Sequence, residues 1–375
     1  MTWDGVPENW GKGHYRDIPW SKYVLLCRER QVRDLRRWLD GDPDFPYYFD
    51  TEAADHAVWF FSQLRHFDKP WTGEPFVLSD WQEWDIVRPL FGWKRNDEGT
   101  RRFRKCYKEI ARGNGKTTLD GGIALYMLAG DQEFGAQCYT AATKEGQAKL
   151  LFDGSRNLLK FNPALESEFK FVNGRLENEF LGSYFRPLGR DSKTEDGFSV
   201  HFGELDEYHA HKTSGMLDVL ESGTIKRTQP LISIITTAGE GIETPCRKES
   251  DFAKELLEGR HTNEAYFAFV ATVDDPKKWD DEQEHIKANP NWGISVNPTV
   301  FRGLALQAKQ KPSSRHSFMM KNLNIWQQRG SRWLEHEWFD VLCRGKVDWS
   351  RFKHLRCFGG LDLGISRDIS AFILA

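Results

Sequence analysis

The chain has 375 residues, 39% hydrophobic and 29% charged, with a formal net charge of −3, which excludes a disordered or fibrous polymer and leaves a globular chain long enough for two domains. No apolar run approaches a membrane span, and the opening "MTWDGVPENWGKGHYRD" lacks the apolar core of a signal peptide, so an intracellular protein is expected. Six scattered cysteines form no C-x-x-C pair and read as reduced thiols, while the near-neutral charge confines any nucleic-acid contact to a local patch.

Residues 1–75 read as a helical segment. Val24, Val32, Leu35 and Leu39 share one helical face, and Gly41-Asp42-Pro43 stops that helix. Asp50 is a capping residue for a second helix with Ala54, Ala57, Val58, Phe61 and Leu64 inside. Over 76–272 the pattern becomes α/β. "RFRKCYKEIA" is a strand, "TTLDGGIALYMLAG" a helix, "AQCYTAA" a strand and "TKEGQAKLLFDGSRNLLK" an amphipathic helix. "SVHFGELDE", "PLISIITTAG" and "EAYFAFVAT" are further apolar strands, so βαβ units and a mostly parallel sheet flanked by helices are expected. Asn173-Gly174 marks a hairpin in a β-meander inserted between them. Residues 273–350 read as a polar and helical linker or lid, and 351–375 as the opening strand of a further, incomplete domain.

The chemistry centres on "EIARGNGKTTL". The usual phosphate loop is G-x-x-x-x-G-K-S/T, and here Ile110 stands where the first glycine belongs. The strand–loop–helix setting still fits a P-loop NTPase. Gly113 and Gly115 let backbone N–H groups converge on phosphate, Lys116 would reach the β- and γ-phosphates of ATP, and Thr117 would hold Mg²⁺. "VHFGELDE" ends in Asp206-Glu207. Asp206 is placed to hold Mg²⁺ through water and Glu207 to activate the attacking water, whereas Glu204 sits partway along the strand. Ser233, Thr236 and Thr237 lie on or just after "LISIITTAG", where hydroxyls can sense the γ-phosphate. The run "KRNDEGTRRFRKCYK" reads as a charge-rich hairpin rim, or less simply as a track for a phosphate backbone. His201, His209 and His211 near Cys246 match no metal-ligand spacing, and Trp71, Trp81, Trp84 and Trp93 read mostly as core.

Together these motifs resemble the large terminase subunit of tailed bacteriophages, over about residues 75–375. "ARGNGKTT" is similar to that family's variant loop, with Arg112 as its loop arginine. "LDEYHAH" resembles its acidic motif and "IITTAG" its coupling motif. "FVLSDWQEWDIVRPLFGW" resembles its adenine-recognition segment, which puts Gln82 against the base with Trp81 as a possible stacker. "SFMMKNLNIWQQRGSRWLEHEWFD" is similar to its interdomain link, and "GGLDLGISRDISA" to the first strand of its ribonuclease-H-like nuclease.

The resemblance implies a RecA-like (ASCE) ATPase fold, with nucleotide contacts from Arg112, Gly113, Asn114, Gly115, Lys116, Thr117 and Thr118. It implies catalytic roles for Glu207, Lys116 and Arg112, with Arg186 or Arg190 of a neighbouring subunit as alternatives to Arg112. It also implies a nuclease metal role for Asp362, ahead of Asp368. Double-stranded DNA, a small terminase subunit, a capsid portal and a homo-oligomeric ring are the partners it implies, in the cytoplasm of a bacterial host and without a membrane. Because two-metal cleavage needs several carboxylates, the chain as given is expected not to cut DNA. A helicase-like ATPase and a non-hydrolysing nucleotide-binding scaffold remain as alternatives.

Overall fold

The computed structural model describes residues 16–143, 145–189 and 197–328, then residues 348, 350, 353, 354, 356, 358–362 and 371–374. The chain divides into two compact units, one ending at Gln328 and the other running from Arg329 to Ala375. The first unit holds ten strands among its described residues: β1 (Tyr47–Phe49), β2 (Trp93–Arg95), β3 (Lys105–Glu109), β4 (Gln137–Ala141), β5 (Lys170–Val172), β6 (Arg175–Asn178), β7 (Ser183–Leu188), β8 (Val200–Asp206), β9 (Leu231–Thr236) and β10 (Tyr266–Val270). β1 and β2 pair with each other, and the rest form one sheet in the order β10-β3-β9-β8-β4-β7-β6-β5.

Every residue of β8, β9 and β10 is buried. Such unbroken apolar runs suit strands covered on both faces, and helices supply the cover. Lys116–Leu125 packs on Glu145–Asn157 at the β4 and β8 side, and Pro245–Leu257 packs on β3 and β10. β10, β3, β9, β8, β4 and β7 run parallel, which brings their carboxyl ends to one edge. The register sets Glu109 opposite Thr236 and Asp206 opposite Ile235. β3 and β8 are therefore not neighbours: β9 lies between them. The Asn173-Gly174 turn joins β5 to β6 as expected, but the meander is no separate insertion, since β7 pairs with β4 and extends the main sheet.

The helix Lys22–Leu39 joins the same core through Val24, Cys27 and Leu35. Its inner face is rotated from the apolar stripe: Leu39 is exposed, while Arg30, Gln31 and Asp34 are buried. Specific polar partners explain the rotation. Arg30 donates to the Tyr266 and Asn263 carbonyls, and Asp34 pairs with Arg102 at 2.9 Å. Asp50 caps the helix Thr51–Gln63 by accepting from the Ala53 amide. Residues 273–328 have a small core of their own around Trp292, Phe301 and Phe318. The helical run expected there is split into Pro298–Gln310 and Pro312–Asn322, with Pro312 opening the second helix.

The run 94–108 forms a hairpin with a charged, exposed tip at 96–99, as expected, where Lys94 bridges Arg101 and Arg95 pairs with Asp97. Its later members differ from a rim: Arg101, Arg102 and Lys108 are buried and pair with acids of other segments. In the second unit, β11 (Gly359–Asp362) pairs antiparallel with β12 (Ala371–Leu374), so a hairpin replaces the single strand expected there. Arg190, Asp368 and the linker 329–347 lie outside the described residues. Among those residues, no helix is long and apolar enough to cross a membrane.

Candidate nucleotide-binding site

The loop between β3 and the helix Lys116–Leu125 explains its own departure from the usual pattern. Ile110 is fully buried and its amide donates to the Thr236 carbonyl at 3.0 Å. The strand thus continues one residue further, where an apolar residue serves better than glycine. Tight turning is needed only later: Gly113 has φ 87° and Gly115 φ 72°, left-handed values that side-chain-bearing residues adopt at a cost. Gly115 caps the helix, so its first free N–H groups and its dipole face the loop.

A segment read in the sequence only as polar linker holds this loop. Asn114 is buried. Its amide group donates to the Ala111 carbonyl at 3.1 Å and to Asn289 Oδ1 at 2.9 Å, and its oxygen accepts from the Asn291 amide at 3.0 Å. Asn291 Nδ2 donates back to the Asn114 carbonyl at 3.1 Å, Ser295 Oγ to the Gly113 carbonyl at 2.6 Å, and the Arg112 amide to the Lys321 carbonyl at 2.9 Å. Asn114 therefore spends its side chain inside the protein and keeps only its backbone N–H for a ligand. The asparagine pair in "ANPN" was the one sequence signal of this clasp.

Lys116 is 7% exposed and makes no hydrogen bond or ion pair among the described residues. Burial lowers its pKa, and the charges of Glu207 and Asp206 work against that shift. Both acids are thus near enough to act on it, which brings together the two motifs that lie 90 residues apart in the sequence. At Asp206, burial and the Glu207 charge push the carboxyl up to about 7, with Lys116 opposing them. Asp206 Oδ1 accepts from the Glu207 amide at 2.8 Å. Glu207 has φ 50°, a strained value for a residue with a side chain, and strain of this kind concentrates at functional positions.

Thr236 and Thr237 are fully buried beside this pair. Thr236 Oγ1 accepts from the His209 amide at 3.0 Å, and His209 Nδ1 lies 3.1 Å from Glu207 Oε2. The sequence offered no reason to single out His209. Thr117 and Arg112 are exposed on the loop side, and Thr118 is half-buried. Gln82 is buried with its oxygen accepting from the Ser79 amide and hydroxyl. Its Nε2 stands by the loop, 3.6 Å from where a Gly115 Cβ would sit.

Two expectations need revision. Trp81 is 1% exposed, stacks on Phe269 with centroids 5.4 Å apart and donates to Asn291 Oδ1 at 2.7 Å, so it offers no face to a base. Ser233 faces the interior, accepting from Lys108 at 2.7 Å and donating to Asp120 at 3.0 Å. Arg186 lies on β7, its guanidinium 5.5 Å from the centroid of the Tyr139 ring and several strands from the loop of its own chain, which leaves its expected role across a subunit boundary untested. Asp362 ends β11 in the second unit.

The donor set fits a magnesium–nucleotide complex. Magnesium keeps much of its water and takes one or two protein ligands beside phosphate oxygens. Asp206 and the exposed Thr117 hydroxyl can supply those, and Lys116, with no hydrogen-bond or ion-pair partner among the described residues, can meet an anion. No group of three or more His, Cys, Asp or Glu among the described residues could hold a metal by itself.

Comparison with known proteins identifies the family. The family model for the terminase large subunit ATPase domain matches residues 80–255, and that for its endonuclease domain matches residues 260–375. Protein YmfN of Escherichia coli K12 is 32% identical over 176 residues, covering 47% of this chain and 39% of the relative. The large terminase subunit of Enterobacteria phage HK97 is 22% identical over 310 residues, covering 81% of this chain and 58% of the relative. The crystal structure of the HK97 large terminase superposes with a TM-score of 0.63 at 20% identity, a likeness of fold that covers 86% of this chain and 64% of that one. With the two family models in chain order over most of its length, the chain belongs to the terminase large subunit family.

Proposed function

We propose that this chain is the ATP-hydrolysing motor of viral DNA packaging, driving translocation of double-stranded DNA. The observation that carries the reading is Lys116: a lysine only 7% exposed at a helix N-terminus, with no hydrogen-bond or ion-pair partner among the described residues, within reach of the charges of Asp206 and Glu207. Such a charge is costly to bury unless an anion completes it. The backbone N–H groups of Gly113 to Lys116 would cradle the phosphates, with Lys116 on the β- and γ-phosphate oxygens and Gln82 towards the base. Thr117 and Asp206 would hold Mg²⁺, which when bound neutralises charge on the phosphate oxygens.

Glu207, whose backbone is held at φ 50° directly after β8, takes the proton of the attacking water. Arg112, on the exposed side of the loop, supplies positive charge towards the transferred phosphoryl group. Thr236 and Thr237 close the gap between the two motifs and are placed to register departure of the γ-phosphate. The named partners of the family reading are a small terminase subunit, a capsid portal and further copies of this chain in a ring, within the cytoplasm of a bacterial host. Asp362 is proposed as a nuclease metal ligand on family membership alone.

Phosphate release with and without linear double-stranded DNA tests the motor. Glu207→Gln is expected to lower the rate by about 10²-fold or more while nucleotide still binds. Hydrolysis by that variant at the wild-type rate would remove Glu207 from the mechanism.

A further inference from the structure

We propose that His209 is a positioning residue, sharing a single imidazole N–H between the Glu207 carboxylate and the Thr236–Thr237 hydroxyls. The inference rests on the ATP-hydrolysis reading above and assigns a role to a side chain within "LDEYHAH" that the reading does not use.

The Thr236 hydroxyl donates to the Thr237 carbonyl at 2.8 Å, and the Thr237 hydroxyl donates to the Ala238 carbonyl at 3.2 Å. With each hydroxyl's one proton spent on its carbonyl, both oxygens face His209 as acceptors. The Glu207 carboxylate also accepts. His209 Nδ1 faces all three: Thr236 Oγ1 at 3.1 Å, Thr237 Oγ1 at 3.4 Å and Glu207 Oε2 at 3.1 Å. The tautomer assigned by these neighbours is therefore Nδ1–H. One proton cannot satisfy three acceptors. The contact to Glu207 is close without good hydrogen-bond geometry, and Glu207 Oε2 is buried with no other hydrogen-bond partner among the described residues.

The ring is held where it can make this choice. The His209 amide donates to Thr236 Oγ1 at 3.0 Å, and residues Tyr208–Ala210 form a single tight turn directly after Glu207. On the other side the backbone of Gly239 packs so closely that an added Cβ would come within 2.8 Å of His209 Cβ. Burial lowers the imidazole pKa against the pull of Glu207, and the charges of Lys116 and Arg112 add to that lowering. A neutral ring has just the one N–H to give on this side.

Two arrangements follow. With the N–H turned to the threonines, the Glu207 carboxylate is open to accept from water. With the N–H on Glu207, one of its oxygens is already taken and the carboxylate is held in place. A shift at the end of β9, where the γ-phosphate would be sensed, thereby changes the hydrogen bonding of the water-activating group through one side chain.

Steady-state ATP hydrolysis by His209→Ala and His209→Asn, beside fluorescent-nucleotide binding and melting temperature, tests the proposal. His209→Ala is expected to lower kcat at least about tenfold, since small misplacement of a catalytic group is enough for that. Its KM for ATP should stay within about twofold of wild type, and His209→Asn, which keeps an N–H near the same place, should recover kcat to within about threefold. A wild-type kcat in His209→Ala overturns the proposal. So does an Asn variant that fails like the Ala variant, or a loss that tracks nucleotide affinity and melting temperature. These outcomes separate from failure of the motor reading itself, in which the unaltered chain would hydrolyse no ATP.

Discussion

Basic residues at the two ends of β3 meet opposite fates. At the amino end, Arg101 pairs with Asp131 at 2.9 Å, Arg102 with Asp34 at 2.9 Å and with Glu264, and Lys105 with Glu221 and Glu249 at 2.8 and 2.9 Å. At the carboxyl end, Lys116 is almost as deeply buried but has no hydrogen-bond or ion-pair partner among the described residues. The first group holds together segments that are far apart in sequence, because a buried charge is tolerable only when paired. The second leaves a charge to be completed from outside. A buried cation reads as structural or functional by whether the protein itself neutralises it.

This contrast can be broken most sharply at the paired end. Asp131 accepts from Arg101 and lies 2.8 Å from His201 Nε2. Burial pushes its carboxyl up, but Arg101 and the His201 hydrogen bond outweigh that and hold it well below the usual carboxylate range. Asp131→Asn strands a buried guanidinium and should cost about 3–5 kcal/mol of stability at pH 7, read by urea unfolding. Because the folded pKa is depressed, this stabilisation is full above the unfolded value of about 4 and is lost as pH falls below it. The gap between variant and wild type should narrow in that window. A gap that widens on acidification would contradict the pairing.

Lys116→Met should do the reverse. Hydrolysis should fall by about 10²–10³-fold, the scale of losing one preorganised charge contact, with the melting temperature unchanged or raised. A large drop in stability would mean that Lys116 has an internal partner after all. The smallest expected effect is at the clasp. Asn291→Ala removes the hydrogen bonds to the Asn114 carbonyl and from Trp81 but leaves the phosphate-facing amides in place. Nucleotide affinity, measured by calorimetry, should weaken by about 1–2 kcal/mol. Unchanged affinity would show that the loop keeps its shape without residues 289–295.

Much of this was legible in the sequence where the signal was local. The apolar runs of β8, β9 and β10, the Asp50 cap and the Asn173-Gly174 turn each carry a short-range cause, and the loop glycines announce their left-handed backbone. Strand order was not legible, since nothing in "LISIITTAG" says that β9 inserts between β3 and β8. Partners across long separations were equally hidden. Arg102 finds Asp34, Asn114 finds Asn289 and Asn291, and His209 finds Thr236 only once the sheet is assembled. The hairpin at 94–101 was legible, but the burial of Arg101 and Arg102 was not, because their acids Asp131 and Asp34 lie far away in the chain. Trp81 looked free to stack because Phe269 and Asn291, which occupy it, are likewise remote.

The central claim is that Lys116 and the Asp206-Glu207 pair serve one magnesium-bound triphosphate. A crystal structure with a non-hydrolysable ATP analogue and Mg²⁺ tests it most directly. The account predicts β- and γ-phosphate oxygens within hydrogen-bond reach of Lys116 Nζ and of the Gly113–Lys116 amides, with the metal between Thr117 and Asp206. A nucleotide bound elsewhere, or a Lys116 turned away from the phosphates, would contradict it.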